Sequence, residues 1–346
     1  MKILAIDTSC DETAAAVTQD LAILSNIIWS QASAHAKFGG VMPSLAQRMH
    51  EERIDFVIHK ALGIKHKALA NIDAIAVTIG PGLSIALLVG INKAKELAIK
   101  YKKPLIPINH VEAHLLSSFA KPLAISHQRL AINFPTLGLC LSGGNTILVK
   151  IKDIGEYEVL AQTDDDALGE ALDKAARLLG FGYPGAVILE KFAKLGNPKK
   201  YSLPIPLIED KIKNRFSYSG LKSAFVRLFN TIKNPTKQDL YDLSASFQNA
   251  AFKHVEEVVS YWLLAISQRP EKVASLLFGG GVANNIEIRK RLRKLCKKFG
   301  ISLHLPYSKK LLGDNAAMIG IAAYFKANRN EFIDPDKVDR VPNLKL

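Results

Sequence analysis

Two histidines, His110 and His114, sit four residues apart in His110-Val-Glu-Ala-His114, directly after an apolar run over residues 104–108. On a helix that spacing places both imidazoles on one face, one turn apart, where they can share a divalent metal. Glu112, two residues on from His110, points round the helix and is a poor ligand. The pattern also differs from His-Glu-x-x-His, in which the glutamate beside the first histidine serves a metal-bound water, so protease chemistry lacks its central residue. Two histidines on a helix surface are the alternative reading. Further on, Gly313-Asp-Asn-Ala-Ala-Met318 opens another helix, and Asp314 has two readings there. It can cap that helix, or it can complete a two-histidine, one-carboxylate set with open positions, which suits iron(II) and accepts zinc.

The elements that must position these groups follow one plan used twice, over residues 2–31 and again over 137–162. Each block runs from a short apolar strand through a small polar turn to another strand. The first turn lies in Asp7-Thr-Ser-Cys-Asp-Glu-Thr13 and the second in Ser142-Gly-Gly-Asn-Thr146. Both have the composition of hairpins that can wrap a phosphate. Later in each half come an apolar strand, a glycine-rich turn and a helix: 74–79, Gly80-Pro-Gly82 and a helical pattern from Ile85, then 274–278, Gly279-Gly-Gly281 and a basic helix. Such a turn offers backbone N–H groups and a favourable dipole to an anion, although glycine turns are often only tight turns. No Gly-x-Gly-x-x-Gly follows the first strand, which disfavours a Rossmann reading, and no Gly-x-x-x-x-Gly-Lys-Ser/Thr occurs, which disfavours a P-loop. The expected fold is α/β, a duplicated actin-like ATPase superfold with two lobes and a cleft between them. The expected boundaries are 1–133 for the first lobe, 134–325 for the second, and 326–346 for a tail returning to the first.

A carboxylate-rich stretch, Asp164-Asp-Asp-Ala-Leu-Gly-Glu-Ala-Leu-Asp-Lys174, leads into a helix ending near Gly180. Capping accounts for Asp164 or Asp165. Asp173 and Lys174, followed by Gly182-Tyr-Pro-Gly185, point to a ligand-facing edge. In residues 288–299, Ile288, Leu292, Leu295 and Phe299 recur at helical spacing while lysines and arginines cover the remainder. This is a surface helix with a strongly basic outer face.

The 346 residues are 48% hydrophobic and 23% charged, with a formal charge of +14. That describes a globular chain long enough for two domains, whose charge favours a polyanionic partner. No apolar run reaches membrane length, and the opening run has neither the length nor the flanks of a signal peptide. Cys10, Cys140 and Cys296 form no Cys-x-x-Cys pair, so the expectation is a cytoplasmic protein without disulfides.

Taken together, these motifs resemble the universal tRNA threonylcarbamoyladenosine transferases, a family once labelled O-sialoglycoprotein endopeptidases. The resemblance runs from Ile3 to about Phe325 and rests on the stretches quoted above, with Phe38-Gly-Gly-Val-Met-Pro43, Asp165-Asp-Ala-Leu-Gly-Glu170 and Phe216-Ser-Tyr-Ser-Gly-Leu-Lys222. The segment from Phe38 to Pro43 is similar to the bacterial and organellar branch. The resemblance implies transfer of the L-threonylcarbamoyl group from threonylcarbamoyl-AMP to N6 of adenosine 37, in tRNAs reading codons that begin with adenine, with AMP leaving. It implies His110, His114 and Asp314 as ligands of one divalent metal, iron(II) ahead of zinc. Substrate contacts fall on Cys140, Leu141, Ser142, Gly143, Gly144, Asp173, Ala186 and Asn285.

Asp11 and Glu12 are the candidate proton acceptors, their alternative role being to anchor the first hairpin. Implied partners are tRNA, a paralogous inactive subunit of the TsaB type and a small ATPase of the TsaE type, with no membrane. Four residues depart from the usual bacterial pattern: Ala186 for glycine, Asn145 for histidine, Ser44 for glutamate and Ile85 for glycine. The competing expectations are a non-catalytic nucleotide-binding scaffold of the same fold and the old endopeptidase activity.

Overall fold

Short apolar runs whose side chains are covered on both faces become the central strands, the pattern that parallel strands between helical layers require. The computed structural model describes residues 1–63, 66–125 and 132–346. Two units emerge, one from Met1–Ala131 and Leu305–Leu346, the other from Ile132–His304.

In the first unit, β1 (Lys2–Asp7), β2 (Glu12–Gln19), β3 (Ala22–Ser30), β4 (Ala74–Gly80) and β5 (Leu105–Asn109) form one sheet in the order β3-β2-β1-β4-β5. β1 pairs antiparallel with β2, Lys2 opposite Gln19 and Asp7 opposite Ala14, and parallel with β4. The helices α1 (Ala32–Ala36), α2 (Pro43–Leu62) and α3 (Ser84–Tyr101) connect these strands, and α4 (His110–Leu116) follows β5. Ile54, Val57 and Ile58 of α2 and Leu87, Ile91 and Ala94 of α3 close over Leu4, Ile6, Ile75 and Val77 in a continuous apolar core.

The second unit carries β6 (Thr136–Leu141), β7 (Thr146–Asp153), β8 (Glu156–Thr163), β9 (Arg215–Phe216), β10 (Ser275–Gly279) and β11 (Ser302–His304), in the order β11-β10-β6-β7-β8-β9. Its helices are α5 (Leu168–Leu178), α6 (Ala186–Ala193), α7 (Ser219–Thr231), α8 (Lys237–Ser267) and α9 (Ile286–Lys298). Read from β8, the order β8-β7-β6-β10-β11 repeats that of the first sheet strand for strand. The sense of each pairing repeats as well: β6 with β7 and β7 with β8 are antiparallel, β6 with β10 and β10 with β11 parallel. The two-residue β9 is an added edge. Phe216, Tyr218, Phe225, Phe247, Phe252 and Phe278 are fully buried in this unit.

Two sequence expectations change. A boundary at 325 would leave the last helix, α10 (Ala316–Asn328), in the second unit, but it packs on β1, β2 and β5 of the first. Its small buried face of Ala316, Ala317, Ala322 and Ala323 lets it lie close to that sheet. The segment after it stays with the same unit, where Ile333 N–H donates to Leu105 O at 2.9 Å and Val341 N–H to Ile79 O at 2.7 Å. The second change concerns α9, which does not start from the glycine turn: a 3-10 turn over Gly281–Asn284 intervenes, and Asn285 caps the helix. Among the described residues no helix is long and apolar enough to cross a membrane.

Candidate functional site

Asn109 ends β5 and caps α4, its Oδ1 accepting from Val111 N–H at 2.8 Å and Glu112 N–H at 3.2 Å. This cap makes His110 the first residue of the helix and sets His114 one turn beyond it. The two rings lie 4.7 Å apart at 83°, edge to face. Both Nε2 atoms turn to the same oxygen, Asp314 Oδ1, at 3.5 Å from His110 and 3.1 Å from His114. One donor atom from each residue falls within 4.8 Å of the others.

Asp314 does not cap α10; its carboxylate faces the two histidines. The cap of α10 is Asn315, whose Oδ1 accepts from Met318 N–H at 3.1 Å. Glu112 is buried on α4 but outside the cluster. Two imidazole nitrogens and one carboxylate oxygen are a donor set that fits iron(II) or zinc.

Asp7, at the end of β1, places Oδ2 3.6 Å from His110 Nδ1, on the ring edge opposite Asp314. Its buried Oδ2, like both Nδ1 atoms, makes no hydrogen bond. A carboxylate on that side of a ligating histidine orients the ring and raises its basicity. Burial disfavours a charged His110, yet the carboxylates of Asp314 and Asp7 outweigh it and raise its pKa to about 10. Burial similarly works against an ionised Asp314, but the two histidines hold it well below the usual carboxylate range. His114 moves down, through burial and through its charged neighbour His110.

The first hairpin turn leads into this cluster. Burial, then the charges of Asp314 and Asp11, push the Glu12 carboxyl well up. Glu12 Oε1 accepts from Ser30 Oγ at 3.3 Å, while buried Asp11 joins β3 through its backbone carbonyl, which accepts from Gln31 N–H at 2.9 Å. Burial, then the charges of Asp11, Asp314 and Glu12, raise the Cys10 thiol well above its ordinary range. His50 braces the turn from α2, with Nε2 3.0 Å from Cys10 O and Nδ1 2.8 Å from Thr13 Oγ1. Gly82 is required where the turn after β4 meets this one, since a Cβ there would lie 2.5 Å from Ser9 O.

The second hairpin turn has no titratable group of its own. Ser142 N–H donates to Asn145 O at 2.8 Å and Asn145 N–H to Ser142 Oγ at 2.9 Å, closing the loop on itself. Cys140 and Leu141 are buried in β6, which leaves exposed Gly143 and Gly144 as its open edge. The start of α5 seals the inner side: Gly169 N–H donates to Ser142 O at 3.1 Å and Leu168 N–H to Thr146 Oγ1 at 2.8 Å. Gly280, with φ of +92°, closes on the same strand end; a Cβ would come within 2.3 Å of Leu141 O.

The other predicted contacts in this unit have local work as well. Asp173 Oδ1 accepts from Gly185 N–H at 2.8 Å and Ala186 N–H at 2.7 Å, at the start of α6. Asn285 Oδ1 accepts from Glu287 N–H at 2.9 Å, and its Nδ2 donates to Gln248 Oε1 at 2.7 Å. Capping does not explain the acidic stretch before α5, because the cap position is Ala167 and no side chain caps the helix. Instead Asp165 accepts from Ser217 Oγ at 2.5 Å and Tyr218 N–H at 2.8 Å, and Asp166 pairs with Lys174 at 2.9 Å and with Lys222. The acidic pair thus ties the loop before α5 to the start of α7.

Asp7 and His50 are neighbours of the cluster and of the first turn that motif spacing did not single out. For Asp7 a signal was present: a carboxylate closing an apolar strand, at the carboxyl end where open α/β sheets bind ligands.

Solved structures of the same arrangement include the activator of 2-hydroxyisocaproyl-CoA dehydratase from Clostridium difficile, with a TM-score of 0.52 and 14% identity over 99% of each chain. HypF from T. kodakarensis matches 94% of this chain with 48% of its own, at a TM-score of 0.57 and 15% identity. These likenesses define the class as a duplicated α/β protein of the actin-like ATPase fold. Sequence is more specific. The profile of the tRNA N6-adenosine threonylcarbamoyltransferases matches residues 22–321. A protein of that name from Trichlorobacter lovleyi is 45% identical over 94% of this chain and 92% of its own, and one from Clostridium novyi 42% identical over 100% and 98%. The chain belongs to the tRNA N6-adenosine threonylcarbamoyltransferase family.

Proposed function

We propose that this protein transfers the L-threonylcarbamoyl group from threonylcarbamoyl-AMP to N6 of adenosine 37, in tRNAs that read codons beginning with adenine, and releases AMP. The observation that carries this reading is the family match across residues 22–321 in a chain that keeps the converging His110, His114 and Asp314.

These three residues hold one divalent ion, iron(II) ahead of zinc. When bound, it supplies Lewis-acid stabilisation to an oxygen that gains negative charge. Asp7 places its carboxylate 3.6 Å from His110 Nδ1, on the far side of the ring from Asp314. The exposed backbone of Gly143 and Gly144 lies in the turn that receives the nucleotide end of the donor, together with the surroundings of Asp173, Ala186 and Asn285. Backbone N–H groups in such turns stabilise phosphate charge without needing a side chain.

An exocyclic adenine amine is a weak nucleophile, so holding it against the carbonyl carbon supplies a large part of the rate. As the new N–C bond forms, N6 must lose a proton. Asp11 and Glu12, the carboxylates of the first hairpin turn, are the candidate groups to accept it. The protein works in the cytoplasm with a TsaB-type paralogue and a TsaE-type ATPase.

The test mixes metal-loaded protein, those partners, threonylcarbamoyl-AMP and unmodified cognate tRNA, with nucleoside mass spectrometry as readout. Threonylcarbamoyladenosine is the expected product. Its absence, with intact protein and partners, overturns the reading.

A further inference from the structure

The outer face of α9 carries more positive charge than a solvated helix needs. Lys290, Arg293, Lys294 and Lys297 are all exposed and stand at i, i+3, i+4 and i+7, one stripe of an α-helix. The buried residues Ile288, Leu292 and Cys296 form the opposite side and fix that stripe outward. Like charges three and four residues apart repel and weaken a helix. The helix dipole compensates only at the last turn, where Lys297 and Lys298 stand near its negative end. None of the four stripe residues has a carboxylate partner among the described residues, whereas Arg291, just off the stripe, is tied to Glu287 at 2.8 Å and Glu256 at 3.1 Å.

We infer that this stripe is a docking surface for the phosphate backbone of the tRNA, a role that rests on the transferase reading above. Between Lys290 and Lys298 no large apolar side chain is exposed. A protein partner would need an aromatic or aliphatic anchor at the centre of its footprint, which a phosphate backbone does not. The four residues run about 10 Å along the helix, enough to span successive backbone phosphates. The helix is also anchored to the proposed donor site. Asn285 caps it, and Gly280, a few residues earlier, closes on the strand end from which the Ser142–Asn145 turn departs.

The test measures tRNA binding by the protein and its partner complex across a salt series, for the wild type and for the variant carrying Lys290→Gln, Arg293→Gln, Lys294→Gln and Lys297→Gln. A control carries Lys199→Gln, Lys200→Gln, Arg227→Gln and Lys233→Gln, four other exposed cations with the same change in charge. The stripe variant should bind about 100-fold more weakly at physiological salt, with a salt slope smaller by about 3, and the control should change far less. In turnover the stripe variant should raise KM for tRNA and leave kcat at saturating tRNA within about twofold.

Equal losses in both variants overturn the inference, as does an unchanged slope in the stripe variant. It is also overturned if the stripe variant keeps its tRNA affinity but no longer assembles with the partner proteins, which would mark the stripe as a protein interface. Binding is read without chemistry, so a wild type that binds tRNA but forms no modified adenosine would count against the transferase reading and leave the stripe supported. Circular dichroism of the variants, whose buried Ile288, Leu292 and Cys296 are untouched, checks the fold.

Discussion

The turn after β1 and the turn after β6 occupy the same place in two sheets of the same strand order, yet their chemistry is opposite. The first, between Asp7 and Glu12, is lined by buried carboxylates and lies against His110, His50 and Asp314. The second, Ser142 to Asn145, closes on itself by hydrogen bonds and exposes two glycines. Duplication therefore fixes where a turn falls, at the carboxyl end of the first strand, but not what it binds. The first turn lies beside a candidate cation site, His110, His114 and Asp314, whereas bare backbone at the second has the chemistry to suit an anion. The contrast extends to the far strand. β5 leads into the helix that carries both histidines, whereas β11 leads out of its unit into the segment that supplies Asp314.

The largest effect follows from removing the one candidate ligand that comes from a distant part of the chain. Asp314→Ala should abolish stoichiometric metal in anaerobically purified protein and lower transferase activity by more than the roughly 10–100-fold that losing a group behind a ligand costs. Elemental analysis of variant and wild type decides it. Wild-type metal content in the variant would remove the basis for treating the first unit as the cation-binding one.

Histidines sharpen the comparison through pH. His110 faces two carboxylates and moves up to about 10, whereas His254, buried in the second unit, is pushed down to about 4 by burial and then by the Lys213 charge. Its Nε2 accepts from Ser217 N–H at 3.3 Å, a bond that only the unprotonated nitrogen can make, and the rings of Phe216 and Tyr218 flank it. The folded state thus resists a proton that the unfolded chain takes up at its ordinary pKa near 6.5. Stability from this group is complete above pH 6.5 and falls away between there and pH 4, by about 3 kcal/mol in all. Urea unfolding at pH 7 and pH 4.5 should show a smaller drop for His254→Gln than for wild type; identical drops would refute the assignment of that window to His254.

Much of this was readable in advance for a physical reason: local periodicity and short spacing survive translation into structure. The two histidines share a face because four residues make about one turn, and the duplicated strand-turn-strand blocks became the two hairpins as their alternation of apolar runs required. What spacing could not decide was competition between two local roles. Asp314 and Asn315 are both good caps, and only the packing of α10 on β1, β2 and β5 shows that Asn315 takes the cap and leaves Asp314 to the histidines. The same limit applied to Asp165 and Asp166, whose partners Ser217 and Lys222 lie about fifty residues away in sequence. Spacing could not connect Asp7 with His110, because that histidine stands on the helix after β5, two strands across the sheet from β1 and far along the chain.

A smaller change probes the same centre from behind. Asp7→Asn removes the charge beside His110 Nδ1 without altering the ligands, and should weaken metal affinity by about 10–100-fold while leaving the ligand set intact. Competition with a chelator reads this directly. If affinity matches the wild type, the carboxylate is a passenger at the end of β1, and the first turn acts only through Asp314 and the histidines.

The smallest effects separate capping from ligation in the two units at once. Asn315 caps α10 one residue from the candidate ligand Asp314, and Asn285 caps α9 within the proposed donor site. As a pure cap, either asparagine changed to alanine should cost about 1 kcal/mol of stability. Asn315→Ala should also free Gly313 O, to which Asn315 Nδ2 donates at 2.8 Å, and should retain its metal, because Asp314 is carried by the preceding backbone. Asn285→Ala should cost more, because Gln248 Oε1 also loses its buried donor, and it should weaken donor binding besides. Thermal unfolding with metal and threonylcarbamoyl-AMP titrations distinguishes the two. Loss of metal on Asn315→Ala would mean that the start of α10 positions Asp314 through its cap, making the first unit's site as dependent on a helix terminus as the second's.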